Sequence, residues 1–253
     1  MCPLMTDPLA PLLTSPRDYA LFLDIDGCLI DLAETPDGIV IPQGLPATLA
    51  RLSDRMGGAL ALVTGRKLDW VDAAFAPQRF PVAGLHGFQR RRADGQAVEV
   101  PVPSGMDIAR ARLARFADID GMVVEDKGIA MGLHYRQAPE REAEARAAMA
   151  ALATDVGPAW ELQFGKKVIE LRPAGATKGG AVTAFLSEAP FAGRIPVAIG
   201  DDVTDETMFP IANDRGGLSI RIADPSEPTA ARAHLPSPAA LRTTLERISR
   251  WDA

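Results

Sequence analysis

The chain has 253 residues, 47% of them hydrophobic and 24% charged, with a formal net charge of −6 at pH 7. That balance describes an ordinary soluble chain of one large domain, or of a core plus a smaller domain, and its acidic excess excludes nucleic acid as a bulk electrostatic partner. No apolar run is long enough to cross a membrane as a helix, and with only two cysteines, Cys2 and Cys28, no disulfide framework is expected.

Residues 1–17 hold several prolines, no basic flank and no clear periodicity, so they read as a loose tail rather than a signal peptide. A reducing, cytoplasmic setting and a monomer are the expectations. Ala20 to Leu23 form a short apolar run that ends at Asp24, Ile25, Asp26 and Gly27, a buried strand running into two carboxylates. Leu45, Leu49, Leu52 and Met56 recur on one helical face, which Gly57 and Gly58 end. Ala59 to Val63 is a second strand, ending at Thr64, Gly65 and Arg66; a short helix over 67–75 and a third strand and turn, PVAGLHG, follow. Strands alternating with helices at this spacing predict a parallel sheet covered on both faces.

The pattern then changes. Arg90 to Arg92 and Val98 to Val102 flank an Ala-Asp-Gly turn, a hairpin with its arginines in a solvated flank. A helix carrying Ala109, Leu113 and Phe116 precedes two strands within 121–136, the second placing Ile129, Met131, Leu133 and Tyr135 on one face and His134 and Arg136 on the other. The helix over 139–153 and the hairpin over 160–173, with Glu170 and Arg172 opposite Ile169 and Leu171, repeat that order. Residues 101–172 are therefore read as an inserted α+β domain, and 18–100 with 173–253 as the doubly wound α/β core. In the returning core, Thr177 N-caps a helix begun by Lys178, Ile195 to Gly200 is a strand ending in GDDVTDE, 217–222 is a further strand, and Leu241, Leu245 and Ile248 mark the last helix.

In doubly wound sheets ligands bind beyond the carboxyl ends of the strands. Asp24, Asp26, Thr64, Asp201, Asp202 and Asp205 all fall at such ends, and Lys178 opens a core helix. Clustered carboxylates repel unless a cation lies among them, and oxygen-only ligands suit Mg²⁺. A metal, a lysine and a hydroxyl are equipment for holding a phosphoryl group. One aspartate can attack phosphorus while the second acts as acid and base. The rival readings are an Asp-Gly turn capping a strand and helix N-caps at Asp202 and Asp205.

DIDGCL, VTGR, the lysine of TKGGA and GDDVTDE, in this order, resemble the four motifs of the haloacid dehalogenase superfamily phosphatases. With GLHG, EDK, HYR and VIELRP added, the chain resembles the trehalose-6-phosphate phosphatases from about Tyr19 to Ile248. The resemblance implies a haloacid dehalogenase core with a type C2 cap, and Mg²⁺-dependent hydrolysis of a small-molecule sugar phosphate through an aspartyl phosphate. It makes Asp24 nucleophile and metal ligand, and Asp26 acid/base and, through its carbonyl, metal ligand. Thr64 binds the phosphoryl oxygens, Lys178 neutralises charge, and Asp201 is the second carboxylate ligand. Asp202 and Asp205 hold metal-bound waters or orient Lys178. Glu125, Lys127 and Glu170 bind the sugar, with Arg66, His134 and Arg172 as further candidates. The alternatives are a C2-cap phosphatase acting on sucrose phosphate or mannosylphosphoglycerate, a phosphomutase, or a sensor that binds a sugar phosphate without turnover. Cys28 stands where the family has Thr, which predicts sensitivity to thiol reagents.

Overall fold

The computed structural model describes residues 7–33, 38–99 and 101–251. The first stretch runs α1 (Pro11–Thr14), β1 (Tyr19–Leu23), α2 (Leu45–Arg55), β2 (Leu60–Val63), α3 (Leu68–Ala74), β3 (Val82–Gly84), β4 (Gln89–Arg91) and β5 (Ala97–Glu99). The insertion holds α4 (Met106–Leu113), β6 (Val123–Asp126), β7 (Met131–His134), α5 (Glu142–Val156), β8 (Trp160–Gly165) and β9 (Val168–Pro173). The chain returns through α6 (Lys178–Leu186), β10 (Ile195–Gly200), α7 (Phe209–Asp214), β11 (Leu218–Ile222), β12 (Ala233–Leu235) and α8 (Pro238–Ser249). Two compact units result: one from Met1–Glu99, Thr177–Asp201 and Asp205–Ala253, the other from Val100–Ala176 with Asp202–Thr204.

The first unit is built on an eight-stranded sheet in the order β12-β11-β10-β1-β2-β3-β4-β5. Its strands pair in parallel from β12 to β3, and the β4–β5 hairpin extends it antiparallel. Alternation along β1 decides the two faces. Leu21 and Leu23 join a core with Leu49 and Leu52 of α2 and Leu241, Leu245 and Ile248 of α8. Ala20 and Phe22 join the opposite core with Val182 and Phe185 of α6 and Phe209 of α7. The register puts Leu23 level with Ile199 of β10 and Leu62 of β2. The residues that follow these three strands therefore emerge side by side at one sheet edge.

The second unit is a four-stranded antiparallel sheet, β6-β7-β9-β8. Met131, Leu133, Ile169 and Leu171 pack with Ala109 and Leu113 of α4 and Ala145, Met149 and Leu152 of α5. The other face carries a transverse row, Glu125 opposite Gly132, Gly132 opposite Glu170, and Glu170 opposite Gln163. The helix-strand-strand order is used twice, and both helices pack on one face of the sheet.

Three expectations need correction, and one strand was missed. The stretch before residue 18 is not wholly a loose tail: Leu9 and Leu12 are fully buried in the core that holds α2 and α8. Leucines at that spacing in a short turn of helix bury apolar area despite the prolines; residues 1–6, Cys2 among them, lie outside the described residues. The basic stretch is not a solvated flank, because the Arg91 guanidinium is buried on Asp72 at 2.6 and 2.8 Å and on the Phe80 carbonyl, while Arg90 and Arg92 meet Glu188. Ile129 lies in the turn between β6 and β7, and strand pairing begins at Met131. Short β12, an edge strand, was not read from the sequence at all. Among the described residues no helix is long and apolar enough to cross a membrane.

Candidate active site

β1 delivers Asp24 to the sheet edge, where its N–H donates to the Ile199 carbonyl at 3.0 Å. The turn that follows folds on itself: the Ile25 carbonyl accepts from Leu29 at 2.9 Å and Ile30 at 3.0 Å, and Gly27 N–H donates to Ile30 at 2.8 Å. Gly27 has φ +76°, and a β-carbon there would collide with the Asp201 carboxylate, so only glycine lets this loop and the end of β10 share the space. β2 delivers Thr64, which is fully buried. Its hydroxyl accepts the Arg66 N–H at 3.1 Å and so keeps its own proton to donate elsewhere.

Lys178 is the first residue of α6, behind an N-cap in which Thr177 Oγ1 accepts the Gly180 N–H at 3.0 Å. A helix N-terminus repels an ammonium. Two carboxylates offset this, because Lys178 Nζ lies 2.8 Å from Asp24 Oδ1 and 2.7 Å from Asp205 Oδ1. The second Asp205 oxygen accepts the Asp201 N–H at 3.1 Å. Asp205 therefore orients both the lysine and the loop after β10, and the absence of a side chain at Gly200 makes room for it.

Burial and the neighbouring Asp205 raise the Asp24 carboxyl well above the usual carboxylate range, with Lys178 pulling the other way. For Lys178, burial works against the charge, but Asp205 and Asp24 outweigh it and hold the ammonium above the ordinary lysine value. Oxygen atoms of Asp24, Asp201 and Asp205 all lie within 4.8 Å of one another, a buried acidic group able to hold a metal ion. The donor set is oxygen only and its charges repel, which fits a hard divalent cation. Asp202 contributes no atom to this group.

Asp26 is gripped from the side. Arg66 Nε and Nη2 reach its two oxygens at 2.9 and 2.7 Å, and the guanidinium lies over the Trp70 ring at 4.5 Å. The sequence reading assigned Arg66 to the substrate and did not foresee this pairing. Cys28 is fully buried, and burial followed by Asp24 pushes its thiol well above the ordinary value. The thiolate that thiol reagents attack is suppressed, so the expected reagent sensitivity is withdrawn.

In the second unit, Lys127 Nζ contacts Glu170 Oε1 and lies 3.8 Å from Glu125 Oε2, which His134 Nε2 meets at 2.9 Å. Burial would raise the Glu125 carboxyl, but His134 and Lys127 hold it below its usual value. Arg172 is buried and pairs with Glu161 at 2.8 Å. Glu161 was missed, as was Glu206, which accepts from Arg221, Thr229 and the Ala230 N–H and fastens the loop after β11. Glu206 sits inside GDDVTDE, so its place in the motif was the available signal.

The Trehalose-phosphatase family profile matches residues 22–239. A probable trehalose-phosphate phosphatase of Sinorhizobium fredii is 51% identical over 244 residues, covering 96% of this chain and 92% of its own. The trehalose-6-phosphate phosphatase of Escherichia coli is 42% identical over 220 residues, covering 86% and 82%. The C-terminal domain of a C. albicans trehalose-6-phosphate phosphatase superposes with a TM-score of 0.84 over 96% of this chain and 98% of that one, at 20% identity, a likeness of fold. With its phosphatase motifs gathered at the ends of β1, β2 and β10, the chain belongs to the trehalose-phosphatase family.

Proposed function

We propose that this protein hydrolyses trehalose 6-phosphate to trehalose and orthophosphate, using Mg²⁺. The observation that carries the reading is Asp24 held by Lys178 beside Asp201 at the carboxyl edge of the sheet. Asp24 attacks phosphorus; the bond to the sugar oxygen breaks, and Asp26 protonates that leaving oxygen. A water then attacks the aspartyl phosphate with Asp26 as base, orthophosphate leaves, and Asp24 is restored. Thr64 donates to the phosphoryl oxygens, and Lys178 balances charge on Asp24 and on the phosphoryl group. Asp24, Asp201 and the Asp26 carbonyl would hold Mg²⁺, which supplies further positive charge at the phosphoryl oxygens. Asp205 keeps Lys178 aimed. Glu125, Lys127 and Glu170, with His134 and Arg172 beside them, present donors and acceptors suited to sugar hydroxyls.

The test is phosphate release over a panel of trehalose, sucrose and glucose 6-phosphates and mannosylphosphoglycerate, with and without EDTA. Trehalose 6-phosphate should lead, EDTA should abolish turnover until Mg²⁺ is restored, and Asp24→Asn should be inactive. A faster rate on another disaccharide phosphate would reassign the substrate, and binding without phosphate release would make the protein a sensor.

A further inference from the structure

The Gly-Leu-His-Gly turn after β3 has no part in the chemistry above, yet its backbone is strained. Leu85 has φ +49° and His86 φ +58°, two consecutive non-glycine residues in the left-handed region. Each is disfavoured relative to a right-handed residue, and such strain persists only where the surroundings over-determine it.

The surroundings here are the phosphate-binding loop. Leu85 N–H donates to the Arg66 carbonyl and His86 N–H to the Thr64 carbonyl, both at 3.0 Å. Between them the His86 ring lies against Gly65, where a β-carbon would stand 2.8 Å from Nε2 and 2.9 Å from Cε1. The turn thus clasps Thr64-Gly65-Arg66 by both flanking carbonyls and by the residue in the middle. The last residue of that tripeptide, Arg66, forks onto both oxygens of Asp26.

Backbone shape alone does not account for the histidine. Glycine takes a positive φ without strain, and asparagine at small cost. What those residues lack is the ring. We infer that His86 is a positioning residue: its ring packs the 64–66 loop into the one conformation that lets Arg66 aim the Asp26 carboxyl at the leaving oxygen. This rests on the reading of Asp26 as general acid.

The experiment compares kcat/KM for trehalose 6-phosphate, whose alkoxide needs a proton to leave, with 4-nitrophenyl phosphate, whose leaving group does not. His86→Asn and His86→Gly keep or relieve the backbone and remove the ring, and thermal melts check that both remain folded at the assay temperature. Each should lose about tenfold to a hundredfold on trehalose 6-phosphate, the scale set by small misplacements of a catalytic group, and little on the aryl phosphate. Asp26→Asn should show the same selectivity, more strongly. Equal losses on the two substrates for Asp26→Asn would remove Asp26 as acid and the positioning role with it. A selective Asp26→Asn beside a His86→Asn that loses nothing, or loses equally on both substrates, would overturn the positioning role alone.

Discussion

The two units each hold a lysine between two carboxylates, and they hold it differently. In the core, Lys178 is 2% exposed between Asp24 at 5% and Asp205 at 0%. Each member is tied to main chain at an element end: Lys178 at the first position of α6, Asp24 through Ile199, Asp205 through Asp201. In the insertion, Lys127 and Glu170 are each 9% exposed and Glu125 is 26%, on the face of an antiparallel sheet away from α4 and α5. Side chains standing on a sheet face can be exchanged without moving the backbone, whereas those locked to strand ends cannot. The same lysine-carboxylate arrangement is therefore anchored to main chain in one unit and carried on a sheet face in the other.

Removing the lysine of the core set should have the largest effect. Lys178→Met leaves buried carboxylates uncompensated, so turnover should vanish and stability should fall by about 3–5 kcal/mol, read by denaturant titration. Unchanged stability would mean that Asp24 and Asp205 are relieved by another group. Next comes the metal. If Asp24, Asp201 and their neighbours hold Mg²⁺, the ion at one hundred times its Kd should stabilise the fold by about 2.7 kcal/mol. Calorimetry should show that gain in the native protein and little of it in Asp201→Asn.

The insertion should respond in specificity rather than stability. A charge-assisted hydrogen bond is worth about 1.5–3 kcal/mol, so Glu170→Gln should cut kcat/KM for trehalose 6-phosphate roughly ten- to a hundredfold. Its rate on 4-nitrophenyl phosphate should stay near native; a matching loss there would place Glu170 in the fold's support instead. The smallest effect is the response of Glu125 to acid. Its folded value lies below the ordinary 4.5, held there against burial by His134 and Lys127. In that window the unfolded chain binds more protons, so stability rises with pH. The contribution is complete above the unfolded value and is lost as the pH falls through the lower folded one. Acid melts of Glu125→Gln should show a shallower decline than the native protein.

How far the sequence could be read follows from the same contrast. Asp24, Asp26, Thr64 and Asp201 stand directly after apolar runs, and Lys178 directly after a capping threonine, so each announces its strand or helix end. The partners of Arg66 and Arg91 were not legible, because Asp26 lies 40 residues from Arg66 and Asp72 lies 19 from Arg91. The burial of Leu9 and Leu12 was hidden by the prolines around them. Asp202 shares a motif with Asp201 and Asp205 but lies outside the acidic group that they form with Asp24. GLHG could be quoted as a motif, but its left-handed pair is a property of backbone angles and leaves no mark in composition.

By itself the sequence determined most of the core strands and helices and the residues at their ends, because periodicity and capping are local. Tertiary structure alone decided which oxygens converge, that Asp205 aims Lys178 and that Arg66 grips Asp26. It also decided that Glu125, Gly132, Glu170 and Gln163 form one row across four strands. Those are matters of register and of contact between distant segments, fixed within each unit by how its own sheet is assembled and not by any one stretch of chain.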